Sequence, residues 1–284
     1  MARRKKYNYV SKDITGADIR QYNSVAEFNE AIKDENLKWK YASMKEFTPK
    51  RLDNFCHVKT REVANNLLLR GDIDNAMKIK AEGDIIDATL KGGKPSIETA
   101  VVGCVPNVPN YLRGVPKNMM RVITKPRKVH VIRIYVDSNI PFTFEARELA
   151  IAGAKIANVI AATERAGVRV ELYVGNILID NIGEKYVGFQ LKVKDADAPL
   201  NLLNVAFPLI HPAFFRCLSL LHFETMAKEQ YGHGTCVDIN TIRSHNLIPN
   251  SCVLSLWEIA RNNLKIEDLT NRINEHIKNM MSSH

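Results

Sequence analysis

No run of about 18 apolar residues occurs anywhere in the chain, so a transmembrane helix is not expected. The start, Met-Ala-Arg-Arg-Lys-Lys, is followed by polar residues rather than by the apolar core of a secretory signal. The expected setting is therefore the cytoplasm of the cell that makes the protein. Cysteine is scarce: Cys56, Cys104, Cys217, Cys236 and Cys252 are an odd set with no Cys-x-x-Cys pair. That argues against a disulfide framework or a zinc ribbon and for small buried hydrophobes. Neither G-x-x-x-x-G-K-[ST] nor G-x-G-x-x-G follows a predicted strand, which argues against the usual nucleotide cradles. No internal repeat or low-complexity tract is present. No cofactor, no metal and no catalytic residue is expected.

What is present begins with charge. Forty Lys and Arg stand against 31 Asp and Glu, for a formal net charge of +9 over 284 residues. An excess of this size favours nucleic acid or another polyanion as partner. The clusters that would carry it are Arg3, Arg4, Lys5 and Lys6 at the start, and Lys117, Arg121, Lys125, Arg127 and Lys128 in the middle. A further run spans Lys185 to Lys194. The bland alternative is a basic, soluble surface.

The architectural centre is the stretch from Val129 to Asn176. It reads as a Val- and Ile-rich strand ending at Asp137, an alanine-rich helix from about residue 144 to 165, and a second strand from Gly167 to Val174. Strand, helix and strand of these lengths predict a right-handed crossover with parallel strands. Residues 186–193 alternate with period two and predict a further strand. Helices follow over 200–209 and 214–230, then a strand near Cys252–Trp257 and a terminal amphipathic helix over 266–281. The fold class expected is α/β, a mostly parallel sheet flanked by helices, Rossmann-like or of a degenerate von Willebrand A-like kind.

Ahead of that core, residues 1–22 read as a flexible basic arm. Residues 23–94 read as a helical subdomain, opened by the capping box Ser24-Val-Ala-Glu27, with Thr60 as a second N-cap and Gly71 as a stop. The α/β core then covers 95–284 and starts with a Pro- and Gly-rich loop. Pro106, Pro109 and Pro116 fix the backbone there. The loop is expected to be rigid and to bury Val108, Tyr111 and Leu112 against the sheet.

Ligands of open α/β sheets bind beyond the carboxyl ends of the strands. Asp137 ends the first central strand, and Ser138, Asn139 and Thr143 follow it. This loop resembles that of a von Willebrand factor A-type domain, where an Asp-x-Ser-x-Ser loop holds a divalent metal. Here the loop runs Asp137-Ser138-Asn139-Ile140-Pro141: Asn139 replaces one serine and Pro141 removes the other hydroxyl. Mg²⁺ wants near-octahedral oxygen ligands, and this loop offers too few. Asp137 and Thr143 are expected to cap the next helix. His211, before Pro212, reads as a histidine that bonds backbone at a helix start rather than as a general base.

The order of motifs resembles an uncharacterised family of tailed bacteriophages. Its most specific part is the run Pro106-Asn107-Val108-Pro109-Asn110-Tyr111-Leu112, then Gly114, Pro116 and Met119. The stretches Leu191-Lys-Val-Lys-Asp195 and His211-Pro-Ala-x-x-Arg216 follow. The resemblance implies a phage protein in a bacterial host cytoplasm or associated with the virion, with no established activity. Three readings stay open. One is a non-enzymatic protein that binds nucleic acid or a nucleoprotein assembly through its basic residues. Another is a von Willebrand A-like module that docks a protein partner, or a further copy of itself, at Asp137, Ser138, Asn139 and Thr143 in a virion or an ATPase complex. The third is a metal-dependent hydrolase that uses Asp137 with Glu145 or Glu148.

Overall fold

The computed structural model describes residues 16–33, 49–82, 95–124, 130–139, 144–179, 185–226 and 235–282. In chain order it contains β1 (Gly16–Tyr22), α1 (Val25–Ile32), α2 (Pro49–Cys56), α3 (Arg61–Arg70) and α4 (Ile73–Ala81). Next come β2 (Pro95–Ala100), β3 (Val105–Pro106), α5 (Val108–Leu112) and β4 (Met119–Thr124). The central unit is β5 (Val131–Asp137), α6 (Ala146–Arg165), β6 (Arg169–Ile179) and β7 (Lys185–Lys194). The remainder is α7 (Leu202–Ile210), a π-helical turn (Phe214–Ser219), α8 (Leu220–Met226), β8 (Thr235–Cys236), α9 (Ile239–Ser244), β9 (Ser251–Ser255), α10 (Leu256–Arg261) and α11 (Ile266–Ser282).

The main sheet runs β1-β7-β6-β5-β9, with the short β8 pairing β6. β5 pairs in parallel with β6 on one side and β9 on the other, and β1 is parallel to β7. Only the hairpin-like β6–β7 pair and the β8 contact are antiparallel. The fold is therefore α/β with a mostly parallel sheet flanked by helices. The alternation of β5 buries Ile132, Ile134 and Val136 on one face and Tyr135 on the other, so both faces of the sheet are covered. α6 lays Leu149, Ile156, Val159 and Ile160 on the first face.

The caps expected at Ser24 and Thr60 are present, although Glu27 reaches past the N-cap to the amide before it. The amide of Glu27 donates to Ser24 Oγ at 3.1 Å, and Glu27 reaches back to the Asn23 amide at 2.7 Å. Val63 N donates to Thr60 Oγ1 at 3.3 Å. Gly71 then closes α3 with φ of +92°, where a side chain would be strained.

Three expectations need correction. The stretch expected to be a flexible arm is structured at its end: Gly16–Tyr22 is the edge strand β1, in register with Lys185–Leu191. Residues 1–15, with Arg3, Arg4, Lys5 and Lys6, lie outside the described residues. Nor do the N-terminal helices form a core of their own. Phe28, Ile32, Cys56, Ala64, Leu68 and Ile79 join one cluster with Ile134, Leu172, Phe189 and Phe214. An eight- to ten-residue helix buries too little alone, so these helices cover the sheet instead.

The third correction concerns the Pro-rich loop. It is a small antiparallel sheet, β2-β4-β3, that carries α5 at its far end. Among the described residues its strands pair only with one another, and no residue from 97 to 121 joins either hydrophobic cluster. Val108, Tyr111 and Leu112 are 56%, 67% and 78% exposed rather than buried. Pro106 lies in β3, Pro109 sits in the first turn of α5 where no amide donor is missed, and Pro116 lies in the connection back to β4. Gly103 is required there: a Cβ would collide with the Met120 carbonyl. Residues 95–124 are called the β-arm below.

Candidate functional site

The pairing registers set the site. Asp137 lies opposite Gly175 of β6 and opposite Ser255 of β9. β6 and β9 flank β5 on opposite sides, so Asp137 ends the strand at which the chain's order reverses. Clefts of open α/β sheets form at such a point. Gly175 allows the close approach of β7, since a Cβ would run into the Phe189 carbonyl. Beyond it, Asn176 brings its side chain into the same layer.

The polar groups gathered there are deeply buried. Asp137 is 3% exposed, and Ser138, Asn176, Ser219 and Ser255 are 2% or less. The Ser138 amide donates to the Gly175 carbonyl at 3.0 Å. Asn176 Oδ1 accepts from Ser219 Oγ at 2.8 Å and from Ser138 Oγ at 3.3 Å. Ser219 ends the π-helical turn, and its hydroxyl also reaches the Phe214 carbonyl at 3.0 Å. Ser255 Oγ is taken up by the Glu258 amide as the N-cap of α10.

Burial pushes the Asp137 carboxyl up to about 8; the Asn139 amide and the Asn176 side chain pull it down only in part. Asp137 Oδ1 and Asn176 Nδ2 form no well-shaped hydrogen bond, so that pull is loose. The Tyr135 hydroxyl is fully buried, lacks a partner, and is raised by burial and by the Asp137 charge. Cys236 is an exposed residue, yet desolvation of its thiol pushes it up to about 11, with the Asn139 side chain opposing the rise and Asp137 adding to it. A thiol held so high is a poor nucleophile at neutral pH.

At pH 7 this cluster is thus a neutral carboxylic acid, serine hydroxyls and an amide. It lacks a base to activate a nucleophile. His211 does not supply one: its Nδ1 accepts the Ala213 amide at 3.0 Å, and burial first of all pushes it down to about 4. Among the described residues no three His, Cys, Asp or Glu side chains are grouped to hold a metal. The arrangement can lock the ends of β5, β6 and β9 together.

Asp137 and Ser138 are too buried to meet a partner directly, and Asn139 is half-buried. Thr143 lies outside the described residues. Asp137 does not cap α6; the helix opens at Glu145, whose amide donates to Glu148 Oε2 at 3.0 Å. The two glutamates proposed as cation ligands are spent on that cap. Of the basic run, Lys117 is exposed at the distal turn of the β-arm. Arg121 projects from β4 and forks onto Glu98 Oε1 at 2.7 and 2.9 Å. Lys125, Arg127 and Lys128 lie outside the described residues. Sequence reasoning missed Asn176, Ser219 and Ser255, which read as ordinary strand and helix residues. It also missed Arg113, exposed just past α5.

Fold and site together define an α/β protein with a locked polar cluster at its strand ends and a β-arm set apart from its cores. Residues 12–273 match the model of the family described as Domain of unknown function (DUF7192), and the chain belongs to that family. No curated protein and no solved structure matches it.

Proposed function

We propose that this is a non-enzymatic protein that binds nucleic acid through its β-arm. The single observation that carries the reading is the charge of that arm together with the sequence that follows it. Between Glu98 and Asp137 the sequence holds no Asp or Glu, while Arg113, Lys117, Arg121, Lys125, Arg127 and Lys128 all fall there. Glu98 itself is neutralised by Arg121. A cationic stretch whose one acidic residue, Glu98, is already paired suits a polyanion. The resemblance to phage families supports a setting in infected bacteria.

The docking reading at Asp137, Ser138 and Asn139 has less support because Asp137 and Ser138 are buried. The hydrolase reading has less still, since Glu145 and Glu148 are engaged in a helix cap.

The test is a fluorescence-anisotropy titration of duplex and single-stranded DNA and RNA over a range of salt. Log K should fall against log salt by about 0.9 per phosphate neutralised on duplex and about 0.7 on single strands. Arg113→Glu with Lys117→Glu should weaken binding at least tenfold for every sequence alike, because phosphate contacts position and do not specify. Dissociation constants above about 10⁻⁴ M at physiological salt for both DNA and RNA would overturn the reading.

A further inference from the structure

The far end of the β-arm carries more than charge. β2 and β4 pair from Pro95↔Thr124 at the root to Ala100↔Met119 at the far end, so residues 101–118 form the tip. On it Val101, Val102, Val105, Val108, Tyr111 and Leu112 are each more than half exposed. Val102 and Leu112 reach 79% and 78%. Apolar patches of this kind on a monomer mark a contact surface. Phosphate neutralisation has no use for them.

Resting on the nucleic-acid reading above, we propose that the tip is a wedge for duplex DNA: it enters the minor groove and partly unstacks a base step with its apolar side chains. Three observations favour this occupant. The only charged groups on the tip, Arg113 and Lys117, are cations and are exposed. Arg121 lies further down β4, paired with Glu98, and Lys125, Arg127 and Lys128 follow the arm in sequence. Cations at the tip, with more in the sequence that follows the arm, suit a linear polyanion that runs past it, whereas a bilayer would use those at the tip alone. The tip is also narrow: a two-residue strand, a five-residue helix, Gly103 packed close against the Met120 carbonyl and a turn at Gly114. The combination of Arg and Lys with apolar wedges on a narrow projection is the chemistry by which proteins read and kink the minor groove.

Leu112 and Val102 are the side chains best placed to insert, being the most exposed. Wedge insertion unstacks bases and bends the duplex toward the major groove, commonly by about 20–90°. The cations would hold the flanking phosphates while this happens.

The experiment uses the full chain and a 30-base-pair duplex (about three helical turns) that carries end-labelled fluorophores for energy transfer, or 2-aminopurine at one step to report unstacking. The wild type should shorten the end-to-end distance and raise 2-aminopurine emission. Leu112→Ser with Val102→Ser, both at solvent-exposed positions, should abolish both signals and weaken binding about tenfold while leaving the salt slope unchanged. Arg113→Ala with Lys117→Ala should instead lower the slope by up to about 1.8. Salt-dependent binding to a duplex that stays straight, with no response to Leu112→Ser, would overturn the wedge and leave the nucleic-acid reading intact. Absence of salt-dependent binding to any nucleic acid would overturn both. Flotation with phosphatidylglycerol-containing vesicles that is lost in Leu112→Ser, with no duplex bending, would assign the tip to a bilayer and overturn the wedge.

Discussion

Lys194 Nζ lies 2.6 Å from Glu164 Oε1, and both side chains are 2% exposed or less. The ammonium also donates to the carbonyls of Val170 at 2.9 Å and Asp195 at 3.0 Å. One residue ends β7 and the other sits in the last turn of α6, so this pair ties the crossover helix to the hairpin strand across the sheet. Desolvating two charges is costly, and geometry this close with added carbonyl acceptors is what offsets it.

Breaking the pair from one side should therefore be severe. Lys194→Met leaves Glu164 buried without its cation and is expected to cost about 3–5 kcal/mol in chemical denaturation. Lys194→Met together with Glu164→Leu should recover most of that loss. A double variant no more stable than the single one would show that the carbonyl contacts, and not the charge pair, hold this end of the sheet.

Asp137 predicts a pH dependence of the opposite sign to the usual carboxylate. Its folded value is about 8 against 3.8 unperturbed, so the native state keeps a proton that the unfolded chain releases. Its contribution to stability is present below the unfolded value and is lost as pH rises toward 8, by up to about 1.4 kcal/mol per pH unit. Asp137→Asn keeps the neutral shape and should gain stability relative to wild type between pH 5 and 8. Thermal melts that differ by a constant amount over that range would refute the assignment of a neutral carboxyl.

His222, buried, and His211, half-buried, act in the other direction. His222 accepts or donates at 2.7 Å to the Tyr22 hydroxyl and is pushed down to about 3 by burial, with Arg20 adding to it. His211 lies near 4. Both folded values fall below the unperturbed 6.5, so the unfolded state takes up protons first. Their stability contribution is present above about pH 6.5 and is lost as pH falls toward 4 and 3. His222→Gln, which keeps a partner for Tyr22, should make the acid limb shallower. An unchanged limb would place acid sensitivity elsewhere.

The β-arm should be dispensable for folding. Pro95 and Thr124 are paired neighbours at its root, so residues 96–123 can be replaced by a short Gly-Ser link. The melting transition of the body should move by no more than about 1 kcal/mol equivalent, as no residue from 97 to 121 joins either core cluster. Nucleic-acid affinity should collapse. A body that no longer folds would show that the arm carries structure as well as contact.

How much of this could be read from sequence depends on distance along the chain. The crossover β5–α6–β6 was legible because periodicity and the helix-ending Gly167 act within a few residues. The caps at Ser24 and Thr60 were legible for the same reason. The β-arm was misread: Pro106 lies within strand β3 and Pro109 at the start of helix α5, so three prolines close together do not by themselves make an irregular loop. Whether Tyr111 and Leu112 lie under the sheet or out in solvent is a question of docking, which composition does not answer.

The sequence by itself determined the local elements, the α/β class and the excess of cations between Glu98 and Asp137, because hydrophobic period, capping chemistry and charge are properties of neighbouring residues. Tertiary structure alone decided the rest. It brought Tyr22 to His222 across 200 positions, and Ser219 to Asn176 across 43. It set β1 beside β7, buried Asp137 at the strand ends and left the arm's tip exposed. Each of these is a choice among many non-local pairings, made by the packing of the whole sheet and its helices rather than by any one segment.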